Sequence, residues 1–253
     1  MADLKILTFV ESQTEACDKA CLILKHTHES SQALYAAYEI ARSVRSIKKQ
    51  TEKKGEGKKD IFLMLRGMST DEEQDLLRAM LVSAASGLDA MTKQLIRDAL
   101  PKVVQIDKEA LAELEKFVSR KLRDEIDEIG ISERISFLGR ALAAPSTQAQ
   151  IIEEYINYLT KGSLQSSEEL SRVAKAFALP PKEVIIDHIK LRPIFEARNK
   201  IIHELDINLN APRRRRNLRA QITMKNYTET LIEIAQSILR AVDNKLYGAT
   251  KSY

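Results

Sequence analysis

The chain has 253 residues, with 40 basic and 36 acidic side chains and a net charge of +4. Hydrophobic residues make up 44% and charged residues 30%, enough to bury a core and too apolar for a wholly disordered chain. Eight glycines, six prolines, no tryptophan and 5% aromatics disfavour a large β-sandwich. A charge of +4 is too mild to indicate a polyanionic partner, so any basic patch must be argued locally.

The start, Met1-Ala2-Asp3-Leu4-Lys5, lacks the basic and apolar regions of a secretory signal. The first helical stripe is Leu34, Ala37, Tyr38, Ala41 and Val44, which defines an N-terminal helical arm over residues 1–47. Residues 48–59 hold six lysines against two glutamates, with two glycines and no large apolar side chain. That composition predicts a flexible basic linker. Residues 60–253 then form an all-α domain.

Within it, Ser69-Thr70-Asp71-Glu72-Glu73 predicts an N-cap and an acidic first turn. The helix that follows carries Leu77, Met80, Ala84, Leu88, Met91 and Leu95 on one stripe, and Pro101 is expected to end it. Leu111, Leu114, Val118, Leu122 and Ile129 mark a second helix. Ile131, Ile135, Leu138 and Leu142 mark a third, Ile152, Tyr155, Ile156 and Leu159 a fourth, and Leu170, Val173 and Phe177 a short fifth. Gly130, Pro145, Gly162 and Pro180-Pro181 are the joints. Pro193 suits the first turn of a helix running to about Leu205. A loop over Asp206–Pro212 follows, and Tyr227, Leu231, Ile234, Ile238, Val242 and Leu246 draw a closing helix. Runs at 61–65, 103–106 and 184–189 lack strand alternation and read as helix or loop. No window reaches the ~18 apolar residues of a membrane helix.

Two cysteines cannot build a disulfide framework, so a soluble protein of the reducing cytoplasm, with no membrane partner, is expected. Cys17, Cys21, His26 and His28 do not follow a standard zinc spacing; buried thiols and exposed histidines are expected, and no metal or other cofactor. Asp187-His188 has no His and Asp companions for a metal-dependent phosphohydrolase. There is no phosphate-binding glycine loop and no serine-hydrolase elbow.

The most informative segment is Arg198-Asn199-Lys200-Ile201-Ile202-His203, with Ile194, Phe195, Ile201, Ile202 and Leu205 as the apolar side of its helix. Asn199 and His203 are at i and i+4, one above the other. Arg198 and His203 stand roughly 140° apart around the helix, a separation a long arginine can reach across. A histidine titrating near neutral pH is suited to take a proton, and a guanidinium to meet phosphate oxygens with two hydrogen bonds.

The Arg-Asn-x3-His spacing, followed by Glu204 and then by a long closing helix, resembles the R-x4-6-H motif of the HEPN superfamily. The long apolar helix from Leu76 to Leu100, with Gly87-Leu88-Asp89 at its centre, is similar to the opening helix of the RiboL-PSP-like branch. The resemblance covers about residues 72–100 and 190–247; the middle, about 102–185, matches nothing specific. It implies a HEPN-type helical bundle acting as a homodimeric, metal-independent endoribonuclease. The RNA substrate would be left with 2′,3′-cyclic phosphate ends. It implies Arg198 and His203 as catalytic residues with Asn199 in support, and a role as a toxin or antiviral defence effector beside an inhibitory or defence-system partner protein. Some members of a related branch carry a tyrosine two residues after the histidine as a target for modification. Here that position is Leu205, so that form of control is not expected.

Arg213, Arg214, Arg215 and Arg216, with Arg219 behind them, are the second signal. Ten Lys or Arg stand against three acids between Lys190 and Lys225. With Lys200 they are read as an RNA-binding, phosphate-tracking patch; few aromatics interleave, so base stacking is not indicated. Two other readings remain open on the sequence: a non-catalytic RNA-binding or adaptor module of the same fold, and a helical scaffold whose arm docks a partner.

Overall fold

Helical periodicity translates directly into structure. The computed structural model describes residues 11–54, 69–123, 131–184, 186–208 and 216–251. Among these are eight α-helices and no strand: α1 Glu15–Lys54, α2 Thr70–Ile106, α3 Lys108–Leu122, α4 Ile131–Ala143, α5 Thr147–Thr160, α6 Ser167–Ala176, α7 His188–Glu204 and α8 Gln221–Thr250. The chain is all-α. The readings placed on residues 1–10, on 55–65, on Ile129 and Gly130, and on Arg213, Arg214 and Arg215 lie outside the described residues.

The helix starts follow local chemistry. Ser69 and Glu72 form a reciprocal capping box: the Ser69 hydroxyl accepts from the Glu72 N–H at 3.2 Å, and the Glu72 carboxylate accepts from the Ser69 N–H at 2.6 Å. The side chains of Asp107, Ser146 and Ser166 accept from first-turn N–H groups and cap α3, α5 and α6. Asp187 caps α7, its Oδ1 accepting from the N–H groups of Ile189 and Lys190.

Two helix boundaries differ from expectation. Pro101 does not end α2, which continues to Ile106. The ring removes one backbone donor, but Val103 and Val104 beyond it are buried, and that packing holds the last turn helical. Pro193 is not a first-turn residue either: α7 begins at His188, five residues earlier, where Asp187 caps it. The backbone at 48–54, within the segment expected to be a linker, is the last part of α1.

The chain divides into two compact units. Of the described residues the first comprises 24–54, 69–87, 193–208 and 216–233. Its core holds Leu24, Tyr35, Tyr38, Leu77, Met80, Leu81, Phe195, Met224 and Leu231. Here α1 and α2 approach closely at Gly87: a Cβ built on that residue would lie 2.1 Å from Thr27 Oγ1 and 2.2 Å from Thr27 Cγ2. Only a glycine fits there without displacing the facing helix.

Of the described residues the second unit comprises 11–23, 88–123, 131–184, 186–192 and 234–251. Its core includes Leu88, Met91, Leu95, Phe117, Phe137, Tyr155, Leu170, Phe177, Ile238 and Val242. Within it α3 packs on α5 and α6, and α4 packs on α5. Polar ties fix its ends. Asp243 accepts from the Gln13 N–H at 2.7 Å and the Thr14 hydroxyl at 2.6 Å. Lys245 donates to Asp107 at 2.5 Å and to the Ala178 carbonyl at 2.8 Å. The stripe expected on α4 does not face inward: Ile135, Leu138 and Leu142 are exposed, and Phe137 and Ala141 supply its buried side.

Candidate active site

The residues singled out by sequence sit on α7 and on the chain just after it, within the first unit. The inner face of α7 in that unit is built by Ile194, Phe195 and Ala197, all buried. Arg198 continues this face and is half-buried, whereas Asn199, Lys200 and His203 are exposed. Arg198 Nη1 donates to Asn199 Oδ1 at 3.0 Å. His203 follows Asn199 by four residues, one turn further along the exposed side. Arginine and amide are therefore joined directly, and the imidazole stands above the amide in solvent. Ile202 and Leu205, expected on the apolar side, are exposed. The wide apolar stripe read from the sequence narrows to Ile194, Phe195 and a half-buried Ile201.

What ends α7 is not visible in the motif. Leu205 and Asp206 both adopt the left-handed conformation, with φ of 50° and 58°. This turn lets the Asp206 N–H reach the Lys200 carbonyl at 2.9 Å and the Ile207 N–H reach the Glu204 carbonyl at 2.9 Å. Neither residue is a glycine, so the conformation needs compensation from outside the helix.

Asp206 supplies that compensation. It is fully buried, yet its carboxylate is surrounded by donors. Arg78 Nε and Arg219 Nε each donate to Oδ2 at 3.0 Å. Arg219 Nη2 donates to Oδ1 at 2.5 Å, and Asn217 Nδ2 to Oδ1 at 3.1 Å. Burial on its own pushes the carboxyl up; the hydrogen bonds from Arg219, Arg78 and Asn217 outweigh it and hold the group below the ordinary carboxylate value. A second layer extends the network. Arg78 also donates to the Asn217 carbonyl at 2.7 Å and to Asp75 at 3.0 Å. Gln74 and the backbone of Arg219 exchange two hydrogen bonds. A single antiparallel bridge pairs Ile207 with Arg216.

Two residues of the arginine patch belong to this network. Arg216 donates to the Leu205 carbonyl at 3.1 Å and pairs with Asp75 at 2.7 Å. Arg219 is bound to Asp206 through two nitrogens. Both hold the chain after α7 in place, and their guanidinium groups are committed to protein carboxylates. Arg78 and Asp75 escape a sequence reading because they lie 128 and 141 residues from their partners Asp206 and Arg216, and α2 shows only an apolar stripe.

The cysteines and histidines near the chain start do not assemble. Cys17 is buried and Cys21 half-buried. His26 is exposed and pairs with Glu29 at 3.0 Å. His28 was expected to be exposed and is buried instead, one helical turn from Leu24 in the core. Among the described residues no three His, Cys, Asp or Glu side chains gather as a metal-holding group. Among the same residues no helix is long and apolar enough to cross a membrane. No family model, no curated protein and no solved structure matches the chain.

Proposed function

We propose that the chain is a HEPN-type, metal-independent endoribonuclease that works as a homodimer. The observation that carries this reading is the arrangement on α7: Arg198 bonded to Asn199, with His203 one turn on and open to solvent. His203 takes the proton of an RNA 2′-hydroxyl, and the 2′-oxygen attacks the adjacent phosphorus. Arg198 meets the charge that builds on the non-bridging oxygens, and Asn199 orients its guanidinium. The 5′-oxygen leaves with a proton from an acid that one chain does not supply; the partner subunit's His203 fills that role in a twofold dimer. The products are a 2′,3′-cyclic phosphate and a free 5′-hydroxyl. Because base, acid and cation are all side chains, the step needs no divalent ion. Such an activity suits a toxin or defence effector restrained by a partner protein.

The test is cleavage of single-stranded RNA in EDTA, with the ends of the products mapped. The native chain should release cyclic phosphate ends and resist a substrate with 2′-deoxy at the scissile position. His203→Ala should lose at least about 10²-fold in rate. Arg198→Ala should fall comparably, both with unchanged circular dichroism. Full activity in either variant, or cleavage that requires magnesium, refutes the site. An inactive native chain that still binds RNA favours the adaptor reading.

A further inference from the structure

A groove of about 1370 Å³ opens in the second unit between α3, α5 and α6. Tyr155 and Tyr158 line its floor, and the fully buried Phe117 packs beneath them with ring centroids 4.9 and 5.1 Å away. Its two rims are basic. On α3 and its C-cap, Lys116, Arg120 and Arg123 follow one another at steps of four and three residues, one face of a helix. They spread cations over about 10 Å along the groove. On α6, Arg172 and Lys175 are three apart and face the same space.

The pairing within the groove is incomplete. Lys116 is paired with Glu113 at 2.6 Å, and Glu168 lies 3.7 Å from His188. Among the described residues Arg120, Arg123, Arg172 and Lys175 form no salt bridge, and these four cations outnumber the two lining carboxylates that no lysine or arginine pairs, Glu115 and Glu168. Arg172 instead lies over the Tyr158 ring at 5.5 Å. That contact leaves guanidinium nitrogens at its edge to donate outward.

We infer that this groove binds the phosphate backbone of a single-stranded nucleic acid. Two facing rows of cations match a linear chain of evenly spaced anions better than a single phosphate. The Tyr158 ring already carries Arg172 and Phe117, so no base is asked to stack there and binding is indifferent to sequence. The inference does not rest on cleavage at α7: binding is read with a strand that cannot be cut.

The experiment uses the full chain and a fluorescein-labelled 12-nucleotide strand with 2′-O-methyl groups, followed by anisotropy from 50 to 300 mM salt. Each phosphate contact on a single strand adds about 0.7 to the log–log salt slope. Replacing Arg120, Arg123, Arg172 and Lys175 by Gln should flatten the slope by about three and weaken binding on the order of 10²-fold at 0.1 M salt. The exposed pair Arg123→Gln and Lys175→Gln should by itself flatten it by about 1.4. A control replaces Lys102, Lys108, Lys161 and Lys182, all exposed, by Gln, for the same loss of charge. An unchanged slope in the groove variants, or an equal fall in the control, overturns the inference. So does a polyglutamate peptide of equal charge that competes as well as the strand, since the occupant would then be an acidic protein.

Discussion

Replacing Gly87 by Ala should destabilise the protein, although alanine is the better helix former. In an exposed helix interior the substitution would gain about 1 kcal/mol. At position 87 the new methyl would sit 2.1, 2.2 and 2.6 Å from Oγ1, Cγ2 and Cβ of Thr27. Carbon atoms rest at about 3.5–4.0 Å, so each contact is short by about 1 Å or more. A rotation of Thr27 can move its two outer atoms but not its Cβ, which belongs to the frame of α1. The helices must therefore part locally, an overpacking cost of about 3 kcal/mol at the upper end of the usual range. The net expectation is a loss of about 2 kcal/mol, or ~5 °C in Tm for a chain of this size. The decisive variant moves the space across: Thr27→Gly with Gly87→Ala should recover more than half of the loss. Urea unfolding with matched m-values reads both. A single Gly87→Ala variant as stable as the native chain, or a double variant no better than the single, refutes the steric argument.

Three further outcomes follow from the same structure. Asp206→Ala strands the buried Arg78 and the half-buried Arg219 and should cost about 3 kcal/mol at pH 7. The folded Asp206 carboxyl lies below its ordinary value, so its contribution is present above about pH 4 and disappears as pH falls through the folded value; native and variant stabilities should converge in acid. A gap below 1 kcal/mol at pH 7, or one that stays constant down to pH 2.5, refutes this. Burial pushes the Cys17 thiol up to about 12, with the Asp243 carboxylate adding to the rise. At pH 8 only about 10⁻⁴ of Cys17 is thiolate, so a chromogenic disulfide reagent should find one thiol quickly, Cys21, and the second only after unfolding. Two fast thiols would show that Cys17 is accessible.

The long helices were legible because their apolar stripes do one job. Leu77, Met80, Ala84, Leu88, Met91 and Leu95 are all essentially unexposed, as are Leu231, Ile238 and Val242 on α8. Short α4 defeated the same reasoning: it is apolar on two sides, and periodicity cannot say that bulky Phe137 takes the inside while Ile135, Leu138 and Leu142 stay out. The candidate site was legible as an i, i+4 pair on one helix, but not the inward turn of Arg198 or the clasp at Asp206. The arginine run illustrates why. Adjacent arginines look chemically identical in a sequence, yet Arg216 pairs with Asp75, whose proximity depends on the packing of α2, and Arg219 with Asp206. The rim of the α3 groove was written in the chain at helical spacing, but its opposite wall is contributed by α6, some fifty residues later.

The left-handed pair at Leu205 and Asp206 has a kinetic consequence. Its strain is held only while Arg78, Asn217 and Arg219 grip the carboxylate, so the last turn of α7 and residues 216–219 must open together or not at all. In hydrogen exchange, the amides of Asp206, Ile207 and Asn217 should therefore leave as one cooperative group with a shared opening free energy. Exchange of the His203 amide should follow theirs and not that of Phe195, a little over two turns earlier on the same helix. The imidazole would thus owe its placement less to the helix that carries it than to a closure remote in sequence, and loosening Arg78 on α2 would be felt as motion at His203.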